Sequence, residues 1–157
     1  MGIGAFVVPP GGGTPIAGPV GGPTIIRART ENKGGSFALL ENVVAPRQGP
    51  PLHLHAREDD MWCVFEGHFR FKANEEIRDA PTGSFVFAPR GTRHCFQDLG
   101  DQSARILVRF TPAGMERFFE DHAELPPGPV DPDVYRAIAL SNWMELAGPP
   151  LAESHPF

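Results

Sequence analysis

Two of the six histidines, His53 and His55, are separated by a single residue in the run Leu52–His55. On an extended strand, residues i and i+2 project to the same face, so these two imidazoles would share it. The acidic cluster Glu58-Asp59-Asp60 follows almost at once. His94 opens another strand-like run, directly after the turn-forming Pro89–Thr92. Imidazoles and a carboxylate brought to one point make a mixed N/O chelate for one divalent transition metal ion: Fe, Mn, Ni, Co, Cu or Zn. Ligand type alone does not choose among them. An HxH pair by itself also leaves open a plainer arrangement, with one imidazole hydrogen-bonded in a core and the other solvated. His68, His122 and His155 have no partner at ligand spacing and are expected at the surface.

Something must carry these residues to a common point. With 157 residues the chain suits one domain. It contains 18 glycines and 18 prolines, nearly twice the usual share, yet 41% of its residues are hydrophobic and 12 are Phe. Dense turn chemistry with enough apolar mass for a core points to many short strands. About nine strand-like runs lie between Thr24 and Phe110, separated by GPP, EG, AN, PTG, PRG and LGD. The expected fold is all-β, a sandwich or barrel. Thr111-Pro112 and Asp131-Pro132 each look like an N-cap followed by Pro at the first helical position, so two C-terminal helices are expected, at 113–124 and 132–142. At the other end, 11 of the 15 residues from Pro9 to Pro23 are Gly or Pro, which excludes a helix or an interior strand and suggests an irregular arm. The chain thus divides into an arm (1–23), a β-barrel (24–110) and a helical extension (111–157).

Composition narrows the partners. A net charge of −5 with scattered Lys and Arg argues against nucleic acid. No apolar run is long enough to span a membrane, and the first ten residues do not read as a secretory signal. Cys63 and Cys95 make no disulfide framework, so a cytoplasmic protein with two reduced thiols is expected.

The two histidine segments resemble the paired motifs of the cupin superfamily. In Gly49–Gly67, His53-x-His55 is followed by Asp60, six residues and Gly67, as in the first motif. In Gly83–Asp98, Gly83, Pro89, Gly91 and His94 stand at the spacing of the second, with Asp98 in place of its final Asn. Arg109–Gly114, Asp131–Asp133 and Gly148–Leu151 look like the quercetin dioxygenase-like branch of single-domain cupins. The resemblance implies a cupin-type jelly-roll β-barrel, a metal held by His53, His55, Asp60 and His94, and a homodimer that apolar outer residues such as Met61 and Phe65 could serve. It also implies a dioxygenase acting on a small aromatic, flavonol-like molecule, with Asp60 as the base that removes a hydroxyl proton. Asp60 is one methylene shorter than the family's usual Glu, with Glu58 and Asp59 as neighbouring candidates. Strand alternation adds Trp62 and Phe96 beside the ligands and suggests Phe85 and Phe87 as further substrate-binding residues. Two alternatives stand beside the dioxygenase: a non-catalytic small-ligand or metal-binding protein, and a cupin isomerase.

Overall fold

The computed structural model describes residues 4–157. In chain order the elements are β1 (Thr14–Ala17), β2 (Gly21–Ala28), α1 (Thr30–Lys33), β3 (Ala38–Val44), β4 (Pro51–His55), β5 (Asp59–Glu66), β6 (His68–Ala73), β7 (Glu76–Pro81), β8 (Phe85–Ala88), β9 (His94–Asp98), β10 (Ala104–Thr111), α2 (Glu116–Ala123), α3 (Pro132–Ser141), β11 (Met144–Pro150) and α4 (Leu151–Ser154). The strands form two antiparallel sheets, one in the order β1-β2-β3-β10-β5-β8 and the other β11-β4-β9-β6-β7. The core lies between them. Leu40 and Val44 of β3, Ile106 and Val108 of β10 and Trp62 and Val64 of β5 meet Phe69, Phe71 and Phe96 of the facing sheet. The period-2 pattern of each strand is what lets one sheet bury one face while the other remains outside.

The expected all-β jelly roll is the fold observed, and each strand-like run from Thr24 to Phe110 is a strand with ends shifted by a few residues. Three expectations need correction. The Gly/Pro-rich segment is not wholly irregular: β1 pairs with β2, and it lies at the edge of its sheet, where proline costs no ladder hydrogen bond. Arg27 fastens the rest of that segment by donating to the carbonyls of Gly12 (2.6 Å) and Pro9 (3.2 Å). Thr111-Pro112 does not start a helix. Thr111 ends β10, and α2 begins at Glu116 with Met115 as an N-cap that offers no side-chain bond. Asp131-Pro132 does act as expected, with Asp131 Oδ1 accepting from the Asp133 N–H at 2.8 Å. The third correction is β11 (MELAGPP), a strand inside what is expected as the helical extension. It is an edge strand on β4, its register broken twice where Gly148 and Pro150 interrupt the ladder.

Candidate metal centre

β4 and β9 are neighbours, paired at His53 and His94, and β11 covers the other edge of β4 with Met144 opposite His55 and Leu146 opposite His53. The histidine strand is therefore held on both sides. Two glycines make this possible. A Cβ on Gly49, just before β4, would stand 1.8 Å from the carbonyl oxygen of Phe96, so only glycine lets the two segments approach. Gly91 adopts φ +80° in the turn before β9, and its N–H donates to the carbonyl of His55 at 2.8 Å, tying the two halves of the site together.

His53, His55 and His94 are all buried, and each offers a nitrogen within 4.8 Å of the others. Asp60 reaches the same point from β5 on the opposite sheet. Its Oδ2 lies 3.1 Å from His55 Nε2 and 3.2 Å from His94 Nε2. Backbone carbonyls fix two of the tautomers. His53 Nδ1 lies 2.7 Å from the Pro51 carbonyl and His94 Nδ1 2.9 Å from that of Thr92, so Nδ1 carries the proton and Nε2 keeps its lone pair. Burial pushes His53 down to about 3, helped by His94, and His94 down to about 4. His55 is also held well below the ordinary range by burial and by its two imidazole neighbours. All three rings are neutral at physiological pH.

The donor set therefore fits a cation. The His94 Nε2 lone pair faces a carboxylate oxygen at hydrogen-bond distance, with no hydrogen bond between them. Both Asp60 oxygens, His94 Nε2 and His55 Nδ1 are buried without a hydrogen-bond partner among the described residues. Unanswered polar atoms in one cluster carry a heavy desolvation cost unless an ion or a proton sits among them. Burial also drives the Asp60 pKa well above its usual value, with the Asp59 charge adding to it. His53, His55 and His94, with Asp60 beside them, are the residues that would hold a divalent metal.

The neighbouring acids lie elsewhere. Asp59 turns outward and accepts from the backbone N–H and guanidinium of Arg90. Glu58 is buried but is paired with Arg57 through Oε1 at 3.2 Å. Asp98, at the departure from the second motif, accepts from the Gly100 N–H at 3.0 Å and braces a turn. Cys63 and Cys95 are free thiols outside the donor cluster, and burial pushes Cys95 up to about 11.

A cavity of about 40 Å³ adjoins His53 and His55. Trp62 and Phe96 line it as expected, and Trp62 sits edge-on to His94 with ring centroids 5.0 Å apart. Phe85 and Phe87 do not line it and are 62% and 52% exposed. The register explains why: Asp60 and Trp62 pair with Ala88 and Val86, so the inward face of β8 carries the small residues and its two phenylalanines point out. The aromatic wall comes instead from Phe110 of β10 and from Phe118, Phe119 and Tyr135 of the two helices, which cap the barrel mouth. The sequence indicates two helices closing the β core but not that their aromatics line the cavity, because nothing in a helix period says which sheet it covers. Sequence reasoning missed Asn42, a polar residue alternating with Leu40 and Val44 on the inward face of β3.

Residues 41–110 match the cupin domain family. The fold is the cupin jelly roll. A predicted oxalate decarboxylase from Thermotoga maritima superposes with a TM-score of 0.58 at 20% identity, over 68% of this chain and 99% of that one. An RmlC-like cupin from Shewanella frigidimarina superposes with a TM-score of 0.57 at 16% identity, over 65% and 86%. In sequence, 61 residues are 38% identical to a protein of Pestalotiopsis fici described as oxidoreductase iacF. That match spans 38% of this chain and 30% of the length of the relative. No helix among the described residues is long and apolar enough to cross a membrane.

Proposed function

We propose that this cupin is a metal-dependent oxidoreductase, a dioxygenase acting on a small aromatic compound with an ionisable hydroxyl. The observation that carries the reading is the convergence of three neutral, buried imidazoles and an unpartnered carboxylate beside an aromatic-walled cavity. A divalent metal bound there would supply Lewis acidity and redox access to dioxygen. The chain's own residues do the rest. Trp62 and Phe96 pack against a ring, and the α2–α3 cap excludes water. Asp60 is the proton acceptor: it has two unanswered oxygens, and burial raises the affinity of its ionised form for a proton. The name of the fungal relative agrees with oxidation chemistry.

The space is tight. About 40 Å³ suits roughly three waters, so the flavonol-like substrate suggested by the sequence is admitted only if α2 and α3 move outward. A single phenolic ring asks less of the cap. The same reading takes the protein as a homodimer through the outer face of the six-stranded sheet, where Phe65, Phe85 and Phe87 are exposed beside Met61.

Oxygen uptake tests the activity. Metal-loaded protein should consume O₂ with catechols or flavonols, and His94→Ala should not. Full metal content with no O₂ uptake on either class removes the dioxygenase. A ligand-induced rise in Tm without turnover would then favour the second reading, a small-ligand binding protein, which the small apolar cavity also suits.

A further inference from the structure

The cavity wall is apolar except at a few points, and one of them is Asn42. It lies on β3 in the six-stranded sheet, whereas His53, His55 and His94 come from β4 and β9 of the other sheet. Its neighbours on the inward face, Leu40 and Val44, are fully buried. Asn42 is itself 4% exposed. An apolar side chain would complete this face, so the amide is a polar group where packing does not ask for one.

Its orientation is fixed. The hydroxyl of Thr24, fully buried on the adjacent β2, donates to Asn42 Oδ1 at 2.6 Å. That bond holds the amide oxygen toward β2 and leaves Nδ2 with no hydrogen-bond partner among the described residues. Two N–H donors in an apolar surrounding are costly unless a ligand or water answers them. Apolar sites that use a few placed polar groups gain orientation and selectivity from each one.

We infer that Asn42 is a ligand-recognition residue, its Nδ2 donating to an acceptor oxygen on the bound molecule. This rests on reading the histidine cluster as the centre that takes a hydroxylated aromatic. Because Asn42 and the histidines stand on opposite sheets, the ligand that satisfies both carries two separated oxygen functions. One is the ionisable hydroxyl directed at the histidine cluster, and the other is a carbonyl or similar acceptor directed at β3. A buried donor of this kind discriminates sharply, since an analogue lacking the acceptor leaves it unpaired.

The test uses zinc-loaded protein, so that binding is read without turnover, with the three hydroxybenzaldehydes and the three cresols as probes. Each pair shares a phenol and differs by a carbonyl acceptor. Calorimetry on the wild type should show at least one hydroxybenzaldehyde binding about tenfold more tightly than its cresol, the scale of one hydrogen bond to a buried donor. In Asn42→Leu that preference should vanish while cresol affinity and zinc content hold. Asn42→Leu strands the Thr24 hydroxyl, so the double variant Thr24→Val/Asn42→Leu, which removes both partners, is measured beside it. A preference that survives in the variants, or a wild type that binds aldehydes and cresols equally, overturns the role of Asn42 and leaves the aromatic reading standing. A wild type that takes zinc and binds none of the six overturns both.

Discussion

In the proposed oxidation, Asp60 is the residue on which the chemistry turns. Shorter than the glutamate of the family it resembles, it still brings Oδ2 within 3.1–3.2 Å of two imidazoles. Reaching from β5 across the barrel, it would give the centre its negative charge once a bound cation holds it ionised. Asp60→Asn keeps the shape and removes the charge, so metal affinity should fall by about 10–100-fold, the usual scale for a lost ligand or its close support. Unchanged affinity in a metal titration would take Asp60 out of the donor set. His53, His55, Asp60 and His94 were legible in the sequence because period 2 and motif spacing report which side chains share a face. Phe85 and Phe87 were misplaced because sharing a face does not say which face. That depends on the pairing of Asp60 with Ala88, a contact between strands that no local pattern contains.

At the scale of elements, the cap over the barrel is anchored by Glu116 at the start of α2. Its buried carboxylate accepts from the Thr30 N–H and hydroxyl and, at 2.8 Å, from the Gly114 N–H. Burial alone would raise its pKa, but these hydrogen bonds outweigh burial and hold it below the usual range. A depressed carboxylate stabilises the fold above its unfolded pKa, and that stabilisation is lost as pH falls through the folded value. Glu116→Ala should cost about 2 kcal/mol in denaturant unfolding, and the gap from wild type should close below about pH 4. A cost that does not change with pH would mean the carboxylate charge plays no part. The sequence announced a helix here but not its anchor, since Thr30 and Glu116 are 86 residues apart. β11 was missed for a related reason: Gly148, Pro149 and Pro150 forbid an interior strand but are tolerated at the sheet edge beside β4.

For the molecule as a whole, four depressed histidines and two raised carboxylates shape the acid response of the metal-free form. Below pH about 6.5 the unfolded chain protonates its histidines, whereas His94 stays neutral to about 4 and His53 to about 3. The unfolded state then binds more protons, so stability falls as pH falls from about 6.5 toward 4. Asp60 and Glu58, raised in the fold, act in the opposite sense, but as two groups against four, since burial also lowers His122. Metal-free protein should therefore lose Tm steadily over that window, and His53→Gln should flatten the slope. The outer sheet face gives a second test at this scale: Phe65→Glu/Phe85→Glu should leave a monomer by light scattering if the homodimer forms there, with metal content unchanged.

The most direct test of the account is metal stoichiometry with X-ray absorption at the metal edge. Wild-type protein should hold about one divalent ion per chain in an N/O shell that includes three imidazoles, and His94→Ala should lose it while remaining folded. A wild type that binds no ion, or a bound ion whose shell is unchanged in His94→Ala, would contradict it.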